Sequence, residues 1–182
     1  MLFRSVLFDG KDITDLHPSE RVKEGLVLCR ERHPIFPESD LVENLRIAGY
    51  LRSRSEVSEG IDYVFELFPT LERLKTRKAG FLSGGEQQML TIGMALIVKP
   101  KLLLLDEPLL GLSPIMQKTL VDAILKIRKE AGLTIVVTEQ FARPILPVID
   151  HGYVVENGML SLDGPGLELM ENPEVKAAYF GV

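Results

Sequence analysis

Two short stretches of this chain carry residues able to do phosphoryl chemistry. Ser83-Gly84-Gly85-Glu86-Gln87-Gln88 reads as a turn opening a helix. Such a turn presents backbone N–H groups and a hydroxyl to an anion, and the helix dipole adds partial positive charge there. Further on, Leu102-Leu103-Leu104-Leu105-Asp106-Glu107-Pro108 reads as a buried strand delivering two adjacent carboxylates to one edge of a sheet. One acid so placed can hold Mg²⁺, while its neighbour stays free as an acceptor that orients a water for attack on a phosphoryl group. Alone, the first stretch is an ordinary glycine-rich helix cap and the second a solvated acid pair. In this order along one chain, each strengthens the other.

A phosphate cradle needs Gly-x-x-x-x-Gly-Lys followed by Ser or Thr, with the Lys reaching the β- and γ-phosphates. The one Gly-Lys pair, Gly10-Lys11, is followed by Asp12 and has Ser5 where the first Gly should stand. No P-loop is present in these 182 residues. The chain is therefore expected to be incomplete at its N-terminus.

The elements that must position these residues alternate. Strand signals fall at 6–8, 26–29, 102–105 and 133–138, and a hairpin at 153–160 has Asn157-Gly158 at its turn. A short helix runs from Pro18 to Gly25. Apolar spacing of three to four predicts helices over 41–50 and 57–68, with Arg52-Ser53-Arg54-Ser55 between them as a solvated turn. Further helices are predicted from Gly85 until Lys99-Pro100 and over about 114–130, the latter ended by Gly132. Strand–helix alternation implies an α/β fold with a mostly parallel sheet. Ligands bind such sheets at the carboxyl ends of their strands, where Asp106, Glu107 and Gln140 fall.

Hydrophobic residues make up 46% of the chain and charged residues 26%, a balance that folds. The net charge of −5 argues against a general nucleic-acid binder, which draws affinity from clustered Lys and Arg. Cys29, the single cysteine, cannot form an internal disulfide and suits a small buried apolar role. His17, His33 and His151 share no ligand spacing with one another or with Cys29, so no metal site is assigned to them. No apolar run approaches the roughly 18 residues that cross a bilayer, and a soluble cytoplasmic protein is expected.

Residues 82–90 and 102–108 resemble the signature and Walker B motifs of ABC-type ATPases, and are similar to the ATP-binding subunits of branched-chain amino-acid ABC importers. Ile35-Phe36-Pro37 with Val42-Glu43-Asn44-Leu45 resembles that subfamily's loop and first helix of the helical subdomain. Gly111-Leu112-Ser113-Pro114 resembles its D-loop, Glu139-Gln140 its switch position with Gln in place of His, and 150–154 and 172–181 its tail. Four positions depart from the common pattern. Glu31 stands where most ABC ATPases have Gln, Arg30 where Pro is common, Met94 where Arg is usual, and Leu109 where a small polar residue follows the Asp-Glu-Pro triplet. Matching begins at Val6, so Met1 to Ser5 is expected not to be native.

The resemblance implies an incomplete P-loop NTPase core with a helical subdomain carrying the signature motif, as one ABC ATPase domain over 1–182. Its subregions would be 1–30 (remnant β subdomain and core strand), 38–98 (helical subdomain) and 99–182 (core with Walker B, D-loop, switch and C-terminal hairpin). It implies ATP and Mg²⁺ as cofactors, Asp106 binding Mg²⁺, and Glu107 and Gln140 as catalytic residues. Ser83, Gly84, Gly85 and Gln87 would meet a nucleotide held by a second ATPase subunit, identical or not, and Glu31 would lie in a coupling loop to an integral membrane permease. The resemblance places the protein on the cytoplasmic face of the membrane, powering branched-chain amino-acid import, with urea, another amino acid or a lipid as alternative cargo. Two further readings are a non-catalytic interaction module, which the missing P-loop favours, and a non-transport ABC ATPase. The modest interval from Glu31 to Ser83 leaves no room for the coiled coil of the latter.

Overall fold

The computed structural model describes residues 5–30 and 34–180. Glu31 and His33 lie outside the described residues. Strands β1 (Leu7–Phe8) and β2 (Lys11–Asp12) pair antiparallel. Asp9 and Gly10 between them have φ of 51° and 76°, the two successive left-handed residues that a tight hairpin turn requires. Helix α1 (Pro18–Glu24) starts with Pro at its first turn and a capping box of unusual make-up. The His17 ring accepts the Ser19 amide at 3.4 Å while the Glu20 carboxylate accepts the His17 amide at 2.8 Å. Gly25, at φ 101°, stops the helix and turns the chain into β3 (Leu26–Cys29).

Strands β3, β4 (Leu102–Asp106) and β5 (Thr134–Thr138) form the central sheet in that order, all parallel, with Leu26 opposite Leu102 and Asp106 opposite Thr138. Leu103 and Leu105 of β4 and Cys29 of β3 are buried, as their apolar runs predict. The thiol of Cys29 is pushed up to about 12 by burial, which makes it an inert core group.

Helices α2 (Leu41–Ala48), α3 (Arg54–Leu67), α4 (Pro69–Arg73) and α5 (Gly84–Ile97) follow β3. Ten of the fourteen residues of α5 are buried, because it packs on α2, α3 and α4 on one side and β3 on the other. Asn44 is fully buried on α2 and satisfied: it accepts the Phe36 amide at 2.7 Å and donates to the Phe36 and Asp40 carbonyls.

Two expectations are corrected here. Helix α3 begins three residues before Val57, because Ser53 and Glu56 form a capping box across 53–56. The turn is only partly solvated: Arg52 Nε donates to the Val98 carbonyl at 3.1 Å, Nη2 joins it, and Nη1 lies 3.8 Å from Glu56. Arg52 thus satisfies the carbonyl end of α5.

Helix α6 (Pro114–Ala131) connects β4 to β5 and ends at Gly132, φ 58°. Strands β6 (Gly152–Glu156) and β7 (Met159–Gly164) pair around Asn157-Gly158. Helices α7 (Gly166–Glu171) and α8 (Pro173–Val175) form a tail whose Leu169 and Val175 pack on Leu146 and Ile149. Among the described residues, β5 pairs on one edge only. An apolar cavity of about 630 Å³ separates its other side from β6, with Ile135, Val137 and Val154 in its walls.

Candidate functional site

The carboxyl ends of β4 and β5 bring the predicted acids together. Parallel register sets Asp106 beside Thr138, whose Oγ1 donates to Asp106 Oδ1 at 2.7 Å. The chain reverses at Glu107 through a left-handed φ of 46°, and the Glu107 amide donates to the Thr138 carbonyl at 2.9 Å. Asp106 is exposed and Glu107 half-buried, so both carboxylates reach solvent from a backbone locked to β5. Gln140, exposed, lies just past the same end of β5.

Glu139, named in the sequence only alongside Gln140 and given no role there, is a site residue in its own right. Its Oε1 accepts the Leu109 amide at 2.7 Å, tying the segment after Glu107 to the end of β5. Burial pushes its carboxyl up to about 7, the Leu109 amide works against this, and the nearby Glu107 charge adds to it. Leu109 itself is buried, which accounts for an apolar side chain where a small polar one is common. The available signal was an acid directly after a β-branched strand, one residue from Gln140.

Ser83 caps α5, accepting the Glu86 amide at 3.4 Å while Glu86 accepts the Ser83 amide at 2.7 Å. This box fixes the turn and leaves Gly84 on the surface. A Cβ on Gly84 would meet nothing within 4 Å, whereas one on Gly85 would come 2.5 Å from Met116 Cε at the start of α6. Gly84 is therefore small toward solvent and Gly85 small for packing. Gln87 donates its side-chain amide to the Ala79 carbonyl at 3.2 Å, so it braces the turn before the helix.

The residues present suit a hard divalent cation in part. Among the described residues no group of three His, Cys, Asp or Glu converges, and Asp106 Oδ2 makes no hydrogen bond. Mg²⁺ habitually takes one or two carboxylates and completes its shell with water and phosphate oxygens, which is the chemistry Asp106 offers. The open N-terminus of α5 suits a phosphate. No lysine-bearing glycine loop accompanies it in the sequence. Among the described residues, no helix is long and apolar enough to cross a membrane.

A parallel sheet ending in paired acids, with a Ser-Gly-Gly helix start, defines an ATP-binding cassette, and the chain belongs to the ABC transporter family, whose model matches residues 4–110. The match starts two residues ahead of Val6. ATP hydrolysis coupled to transport is the activity of this family. The chain is 39% identical over 177 residues to the high-affinity branched-chain amino acid transport ATP-binding protein BraG of Pseudomonas aeruginosa, covering 97% of this chain and 76% of that protein. It is 37% identical to the probable branched-chain amino acid transport ATP-binding protein LivF of Archaeoglobus fulgidus, covering 97% and 75%. Among solved structures, the ADP conformation of MJ1267, an ATP-binding cassette of an ABC transporter, superposes with a TM-score of 0.81 at 28% identity, covering 98% of this chain and 77% of that one.

Proposed function

We propose that this chain is an ATP-binding subunit that powers import of branched-chain amino acids through a membrane permease, working on the cytoplasmic face of the membrane. The observation that carries this reading is the Asp106–Glu107 pair, held to the end of β5 through Thr138 in a chain 39% identical to BraG. In it, Asp106 would hold Mg²⁺, which when bound would supply charge neutralisation for the phosphates. Glu107 remains a free acceptor and orients the attacking water; Gln140 donates its amide to the γ-phosphate without titrating near neutral pH. Ser83, Gly84 and Gly85 meet the γ-phosphate of a nucleotide held by a second subunit, with Gln87 bracing their turn. Because no glycine-lysine cradle grips the β- and γ-phosphates in these residues, the 182 residues alone are expected to turn over little ATP.

Reconstitution in proteoliposomes of this chain, fused to a cradle-bearing segment, with a permease tests this. ATP-driven leucine uptake that Glu107→Gln abolishes supports the reading. Uptake of urea or lipid instead would move the cargo, and uptake insensitive to Glu107→Gln would refute the site.

A further inference from the structure

Helix α6 starts between the turn of Glu107 and the turn of Ser83, and touches each with successive residues. The Met116 side chain lies against Gly85: a Cβ built on that glycine would come 2.5 Å from Met116 Cε, 3.4 Å from Cγ and 3.6 Å from Sδ. Gln117, the next residue, donates its side-chain amide to the Leu109 carbonyl at 3.4 Å. Leu109, buried, is thus held on both sides, its amide by Glu139 at 2.7 Å and its carbonyl by Gln117. Two backbone bonds stiffen the segment around it. The Leu110 amide donates to the Glu107 carbonyl at 3.2 Å, and the Leu112 amide to the Leu109 carbonyl at 3.3 Å. The turn of Glu107 is therefore fastened to β5 through Glu139 and to α6 through Gln117.

Gly85 is buried and has no side chain, so Met116 bears directly on the main chain of the Ser83 turn, where no rotamer change can absorb a shift. Met116 is itself half-buried and packed on the core, which leaves it little room to swing aside. We propose that Met116 and Gln117 are positioning residues that join the turn of Glu107 to the turn of Ser83, Gly84 and Gly85, so that a displacement of one is delivered to the other within a single chain. The link follows from the contacts alone; its use in the reaction rests on the roles given above. On those roles the acids serve one nucleotide and the Ser-Gly-Gly turn another, and Met116 makes the state of the first alter the grip on the second.

The test is a nuclear magnetic resonance comparison on the full chain, labelled with nitrogen-15 and free of nucleotide. Glu139→Leu cuts the tie on Leu109, and the amide resonances of Gly84 and Gly85 should move by more than a line width while that of Val64, on α3, stays in place. Made in a Met116→Ala background, or in a Gln117→Leu background, the same substitution should no longer move them. In a Met116→Leu background, where an apolar contact remains, it should move them again. Should Met116→Ala fail to fold, Gln117→Leu decides, since it removes one hydrogen bond. Gly84 and Gly85 resonances that ignore Glu139→Leu, a response that survives the cuts at 116 and 117, or a shift that spreads equally to Val64 overturns the proposal. No nucleotide enters this measurement, so its failure stays distinct from a failure of the ATP reading, which shows as uptake insensitive to Glu107→Gln.

Discussion

Glu139 and Leu109 are joined by a 2.7 Å hydrogen bond, carboxylate to amide, that fastens the loop after the paired acids to the end of β5. The Glu139 carboxyl is raised from 4.5 to about 7 in the fold, chiefly by burial. Between those values the folded chain holds a proton that the unfolded chain has released, so this group's stabilisation is full below pH 4.5 and is lost as pH rises through 7. For a half-exposed group the effect is about 1 kcal/mol. Glu139→Gln keeps an acceptor for Leu109 and should flatten the pH profile of the melting temperature between 5 and 8. Glu139→Leu orphans the amide and should cost about 1–3 kcal/mol at every pH. A wild-type profile as flat as that of the Gln variant would refute the assignment.

The two signature glycines should respond differently. Gly84→Asp adds a side chain into open space and should leave the unfolding free energy within about 0.5 kcal/mol of wild type, while setting a negative charge where phosphate oxygens are proposed to arrive. Loss of ATP-driven transport with an unchanged melt is the expected pair of results. Gly85→Val must displace Met116 and should destabilise the fold by about 1–3 kcal/mol, read by denaturant titration.

Arg52 closes the carbonyl end of α5. Arg52→Ala should cost about 1–2 kcal/mol, and Arg52→Lys should recover only part, because one ammonium cannot reproduce a fork that also reaches Glu56. Arg54→Ala next to it, with no such partner, is the control expected to sit within about 0.5 kcal/mol of wild type.

The free edge of β5 should make the chain prone to associate. Val136 is 47% exposed on a strand that, among the described residues, is paired along one side only, beside the apolar cavity facing β6. Light scattering on heating should rise early, and Val136→Lys should delay it. An unaltered onset would show that association proceeds through another surface.

Much of the frame could be read from sequence because its signals are local. Four leucines ending in two acids mark β4, and Gly25 and Gly132 end helices at positive φ where glycine costs least. The start of α3 was also local, in Ser53 and Glu56, but arginines on both sides disguised a capping box as a solvated turn. The imidazole cap of α1 lies outside the usual set of Ser, Thr, Asp and Asn. The Glu139–Leu109 bond arises only when parallel register brings two loops together, and no window of sequence contains both.

Glu107 holds its carboxylate on backbone that glycine or asparagine adopts far more readily, at φ 46°. A library of variants sorted for thermal resistance alone would therefore enrich Glu107→Gly, easing the turn by about 1 kcal/mol. On the role proposed for Glu107, the same clones should be silent in a transport assay. On that role, selection on persistence and selection on work would pull in opposite directions at this one residue.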